Sequence, residues 1–172
     1  ILDNWGVRRL AAFERGESID EMKHADRLSE RILFLDGLPN FQMLGRLRIG
    51  ESVEEVLRAD LELEMEALVQ LRGAIEYCET KRDYVSRDLF AEILANQEEH
   101  VDTLETQFHM IERMGVQNYI QLNSIAPGPD LAGSFFSASS AEIGSRRPGQ
   151  RNYPVEGPGR VGCLGLGTAA VV

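Results

Sequence analysis

Three stretches of about 30 residues, each helical in its apolar spacing and free of proline, fix what this chain can fold into. The first runs from Gly6 to Leu35, where Val7, Leu10, Phe13, Ile19, Met22, Leu28, Ile32 and Leu35 recur at roughly helical intervals. Asp36-Gly37 stops it and Pro39 confirms the stop. The second opens at Ser52, which with Glu55 forms a capping box, and continues from Val53 to Thr80. Leu57, Leu61, Leu68, Leu71 and Ile75 lie along one of its faces. The third starts at Asp83-Tyr84 and reaches Met114, with Leu89, Ile93, Leu104, Phe108 and Ile111 as its apolar positions. Gly115 ends it, and Val116–Asn123 make a short final helix. At the usual rise each long helix is about 45 Å long. Such a set of elements packs as an all-α bundle. Residues 36–51 are too many for a tight hairpin and suit a crossover along the bundle, with Phe41, Leu44, Leu47 and Ile49 expected to tuck onto its body. Three long helices close a core less well than four, and Ile1–Trp5 reads as the C-terminal end of a further helix. With no initiator Met, the chain reads as beginning partway through a longer protein.

At 172 residues there is room for one domain with a real core. The charge is uneven. Residues 1–124 carry 14 Lys/Arg against 25 Asp/Glu, a balance of −11, and residues 125–172 carry 4 against 3. No basic patch is available to neutralise phosphates, which argues against nucleic acid. Cys78 and Cys163 lie in unlike contexts and suggest no disulfide framework, which fits a reducing cytoplasm. No apolar run approaches the length of a membrane span, and ILDNWGVRRL has no signal-peptide character. Residues 125–172 hold nine of the 16 glycines and five of the six prolines, and are expected to be a disordered tail. Gly162–Gly167 is not read as a nucleotide loop, because the sequence signals no strand before it and no helix after it.

The chemistry-bearing residues sit on the helical stretches. Glu21 and His24 stand three apart in ESIDEMKHADR, so both project from one helix face and can reach a single ion. Carboxylate oxygen with imidazole nitrogen suits iron, manganese or zinc. Glu64 is a carboxylate on a stripe that should be buried, or else a Glu at the stripe's edge. His100 lies among apolar positions of the third helix. Met22 reads as core packing from periodicity alone. Glu17 and Asp20 read as solvated surface, although both could face a cavity or an ion route. His109 and Cys78 read as surface and buried packing, and Trp5 and Tyr84 as packing or interface residues.

NWGVRRL, ESIDEMKHADR, ERILFLDGLPN, IGESVEEVLRADLELE, DYVSRDLFAEIL, EEHVDTLE and MGVQNYIQ closely resemble bacterioferritin, the haem-containing branch of the ferritin family, over Ile1 to about Leu122. The resemblance implies a ferritin-like four-helix bundle with a short fifth helix, the first helix being largely missing here. It implies a hollow cage of 24 subunits built from twofold dimers, Fe(II) oxidation with O2 at a di-iron centre, and storage of ferric mineral. Residue by residue, Glu21 matches a bridging ligand and His24 a terminal one. Glu64 matches the carboxylate of the next helix, and His100 the second histidine. Met22 matches the axial ligand of a haem b shared across a twofold axis, which implies a dimer.

The match is incomplete at the metal. Gln97 stands where the family has its second bridging Glu, and a neutral carbonyl binds iron poorly and bridges worse. Glu98 and Glu99 point elsewhere around the helix. The family's first-helix Glu would precede Ile1. Slow iron oxidation by this chain alone is therefore expected. Three functions follow: a storage subunit with ferroxidase chemistry, an accessory subunit supplying haem binding and cage wall beside complete subunits, or the same fold serving another metal.

Overall fold

The computed structural model describes residues 1–125, and the Gly/Pro-rich segment beyond them lies outside the described residues. Four helices follow in order: α1 (Arg8–Phe34), α2 (Val53–Lys81), α3 (Tyr84–Met114) and α4 (Val116–Asn123). Each expected helix is present, within two residues of its expected ends. The Ser52 cap is made, with the Glu55 amide donating to Ser52 Oγ at 3.2 Å, while the Glu55 carboxylate accepts from the Glu51 amide, one residue before the cap, at 2.8 Å.

Before α1 the chain closes a helical end. Val7 N–H donates to the Leu2 carbonyl at 2.9 Å, Gly6 N–H donates to Asp3 at 3.0 Å, and Gly6 takes φ +81. This pair of bonds around a left-handed residue is the Schellman pattern. The same pattern ends α1 around Asp36 (φ 60) and α2 around Arg82 (φ 58), neither of which is glycine.

Two apolar clusters set the helix directions. One gathers Leu2, Val7, Leu10, Val53, Val56, Leu57, Leu104, Ile111 and Tyr119, and the other Leu28, Leu71, Ala74, Cys78, Phe90 and Ile93. α1 and α2 both run from the first cluster to the second, and α3 runs back. Residues 35–52 must therefore return the whole length of the bundle. Their extended reach of about 60 Å covers a 27-residue helix of about 40 Å. Arg48 anchors this crossover to Glu66 on α2 at 2.5 Å, and it enters α2 so closely that a Cβ at Gly50 would stand 2.5 Å from the Val56 nitrogen.

The crossover's apolar side chains do not tuck in. Leu38, Phe41, Leu44 and Ile49 are 89, 69, 79 and 73% exposed. Helix residues already fill both clusters, leaving this segment no apolar face within the single chain. Cys78 is buried and His109 exposed, as expected, and Tyr84 and Trp5, expected to pack or to meet an interface, are exposed within the single chain.

Candidate metal centre

Between the two apolar clusters lies a polar layer. On α1 it comprises Glu14, Glu17, Glu21 and His24, spaced three or four apart on the stripe that also carries Leu10 and Leu28. α2 contributes Asp60 and Glu64, four apart, and α3 contributes Gln97 and His100, three apart. Glu14, His24, Asp60, Glu64, Gln97 and His100 are all buried. Packing at both ends of the bundle thus holds ionisable side chains where solvent does not reach them.

The layer divides into two halves. In one, His24 Nδ1 faces Glu21 Oε1 at 3.4 Å, and the Asn96 amide donates to His24 Nε2 at 3.2 Å. Gln97 Nε2 donates to Glu21 Oε1 at 2.8 Å. In the other half, His100 Nδ1 lies 3.1 Å from Glu64 Oε1 and 3.7 Å from Glu17 Oε2. On the far side of that ring, Nε2 faces Asp60 Oδ2 at 3.6 Å. Phe13 packs edge-on against the imidazole, with ring centres 5.9 Å apart.

Electrostatics in the second half follow from burial. Desolvation raises Glu64, Asp60 and Glu17 above the usual carboxylate range, and the nearby His100 charge offsets only part of it. Glu14 is pushed up to about 9, first by burial and then by the Asp60 carboxylate. For His100 burial opposes the cation, yet the hydrogen bond to Glu64 and the charges of Asp60, Glu64 and Glu17 outweigh it and raise the group to about 9. The imidazolium thus stands in for a cation among the carboxylates. Even so, Glu14 Oε1, Asp60 Oδ2, Glu64 Oε2, His24 Nδ1 and His100 Nε2 are buried without a hydrogen bond. Buried polar atoms are ordinarily paired, so a layer with five orphans has donors to spare for an ion.

Of the residues expected at a metal site, Glu21, His24, Glu64, Gln97 and His100 all reach this layer. Among the described residues no three His, Cys, Asp or Glu side chains already close around a common point. Side chains in both halves pair with one another instead. Gln97 is the residue that fits two bridged irons worst. Its amide occupies the Glu21 oxygen, and a neutral amide stands where a second anionic bridge is needed. The donor set of a bridged pair is therefore not met.

Sequence reasoning missed Glu14, Asp60 and Asn96, and placed Glu17 on the solvated surface, whereas Glu17 turns towards His100. A usable signal was present: Glu14, Glu17, Glu21 and His24 step by three and four along the apolar stripe of α1. Met22 points away from the layer and is 54% exposed, with Ile19, 44% exposed, one turn before it. It is not core packing.

A ferritin-like domain profile matches residues 1–114. The chain is 48% identical over 124 residues to the bacterioferritin of Brucella melitensis, which covers 72% of this chain and 77% of that protein. It is 46% identical over 136 residues to the bacterioferritin of Streptomyces coelicolor, covering 78% and 81%. Against a Mycobacterium tuberculosis bacterioferritin it is 47% identical over 117 residues, covering 68% and 74%.

Proposed function

The chain belongs to the bacterioferritins of the ferritin family, whose function is iron storage, and on that premise we propose an accessory role for it within a cage. In this reading the subunit supplies wall, a haem site and carboxylates that gather Fe(II), while oxidising iron with O2 only slowly by itself. The observation that carries it is the 2.8 Å hydrogen bond from the Gln97 amide to Glu21. That bond spends the oxygen a bridging carboxylate would offer to metal, and position 97 contributes no negative charge of its own.

Two further observations support the cage setting. The crossover exposes Leu38, Phe41, Leu44, Leu47 and Ile49 in one short segment, a surface suited to burial against other subunits, whether copies of this chain or complete ones. The exposed thioether of Met22 beside Ile19 fits a haem b held between twofold-related copies. When bound, such a group supplies a redox centre whose potential thioether ligation raises. The chain's own part is to present one sulfur per subunit on the outer face of α1. Among the described residues no helix is long and apolar enough to cross a membrane.

Stopped-flow measurement of Fe(II) oxidation, comparing the chain with its Gln97→Glu variant, tests the proposal. A rate at least tenfold higher in the variant is the expected result. Equal, fast rates would instead favour the family's full di-iron ferroxidase reaction, a reading supported by the contacts of Glu21 with His24 and of Glu64 with His100 in the one layer.

A further inference from the structure

We propose that Asn96 is a positioning residue for His24: its side-chain amide decides which nitrogen of that imidazole carries the hydrogen. The inference deepens the reading above and rests on it for one point only, that His24 serves iron. Where the hydrogen sits is a property of the metal-free chain.

A neutral imidazole has one N–H and one lone pair, and the partner of each nitrogen selects between the two forms. His24 is buried, with Nδ1 turned to Glu21 Oε1 at 3.4 Å and Nε2 to the Asn96 amide at 3.2 Å. An ionised carboxylate only accepts. Nδ1 makes no hydrogen bond at that distance. An N–H dipole there nevertheless meets the negative charge with favourable sign, whereas a lone pair would meet it with like sign. Nδ1 therefore carries the hydrogen, Nε2 keeps the lone pair, and Asn96 presents its NH2 group to it. Glu92, the other acid near this ring, is held by Arg27 in a two-point pair at 2.8 and 2.5 Å and does not compete for Nε2. That pair also ties α1 to α3 one turn along from His24 and Asn96, which fixes the register that brings them together.

Asn96 differs from its neighbour Gln97 in being free to turn. Gln97 is 4% exposed, and its NH2 group, on leaving Glu21, would be buried without an acceptor. Asn96 is exposed, so whichever end of its amide turns from the ring meets water. Rotated by half a turn, the amide offers Oδ1 to Nε2, which then takes the hydrogen and bares the Nδ1 lone pair towards the layer. The hydrogen count is unchanged: the Nδ1 proton leaves through Glu21, whose side chain is 15% exposed, and Nε2 gains one from solvent. An imidazole ligand needs a lone pair, so this amide sets when Nδ1 of His24 can act as one.

Long-range proton–nitrogen correlation NMR of the metal-free chain with isotope-labelled histidine tests this in mildly alkaline buffer, where an ordinary imidazole is neutral. His24→Gln identifies the signals, and circular dichroism checks that each variant keeps its helices. The hydrogen is expected on Nδ1 of His24. Asn96→Leu should lower the ratio of Nδ1–H to Nε2–H about fivefold, the equivalent of one ordinary hydrogen bond. Asn96→Asp, which only accepts, should put hydrogen on Nε2. A merely structural contact would leave the tautomer where it is. Hydrogen on Nε2 in the unaltered chain, or a ratio indifferent to both substitutions, would overturn the inference and leave the storage role standing. Iron oxidation rates bear on that role alone, so the two readings fail separately.

Discussion

Replacing Gln97 by Glu puts a second carboxylate against Glu21 at the 2.8 Å now spanned by a hydrogen bond. Two full charges at that separation repel by about 6 kcal/mol, even at an effective dielectric of 20. Protonation caps this cost. Holding a proton on an ordinary glutamic acid costs about 1.4 kcal/mol for each pH unit above roughly 4.3, or about 4 kcal/mol at pH 7. The smaller figure wins, so the new carboxyl stays protonated in the metal-free fold and donates to Glu21 much as the amide does. Its pKa is then higher folded than unfolded, and the variant binds more protons when native. Its stability relative to the parent chain is therefore complete below about pH 4.3 and falls as pH rises, by up to about 4 kcal/mol near pH 7. Urea denaturation of both chains in chelator at pH 5 and pH 7 measures the difference. The gap should be about 1 kcal/mol at pH 5 and roughly 3–4 kcal/mol at pH 7, and added Zn(II) should shrink it because two carboxylates then face a cation. A gap independent of pH, or absent at pH 7, would show that position 97 does not meet Glu21 in the folded chain.

Other outcomes follow from single features. Because the folded pKa of His100 is raised from 6.5 to about 9, its contribution is complete below pH 6.5 and lost as pH rises towards 9. Thermal melts of the metal-free chain should record a loss of about 3 kcal/mol over that window, a bound set by the shift, and a flat profile would contradict a buried imidazolium. Glu14, also raised, acts with the same sign. Arg82 sits at φ 58 at the end of α2, so Arg82→Gly should stabilise by about 1 kcal/mol in denaturant titration. Met22→Leu should abolish haem uptake, read as the Soret band after reconstitution, and leave the melting curve within about 0.5 kcal/mol, as expected of an exposed site.

The helices were legible because their signals are local. Ser52 with Glu55, Asp83 before Tyr84, and Gly115 each act within one turn, and apolar spacing marks the face to be buried. The crossover was misread for the opposite reason. Phe41, Leu44 and Leu47 recur every three residues, and neither that spacing nor their apolar character says whether a cover exists within the same chain. The polar layer was half legible. Glu21, His24, Glu64 and His100 stood out as residue pairs or as anomalies on apolar stripes. Glu14 and Asp60 stood out less, because an acidic residue on a 25-carboxylate segment is unremarkable until its position on the stripe is tracked turn by turn. Glu17 steps with Glu14, Glu21 and His24 along the α1 stripe, which marks its face, whereas the His100 it meets lies 83 positions away, a relation no local window contains.

Gln97 is best understood from the metal-free state. The layer already gathers five carboxylates, Glu14, Glu17, Glu21, Asp60 and Glu64, around two imidazoles. A sixth acid at position 97 would have no cation to face until metal arrived, and would stay folded only by holding a proton. The amide removes that demand: it donates where the acid would repel, and it gives the Glu21 oxygen a partner without metal. In the proposed reading, the same bond that steadies the metal-free fold withholds the bridge that fast iron oxidation would need. Stability without metal and a complete two-ion centre therefore make opposite demands on one side chain, and this sequence meets the first.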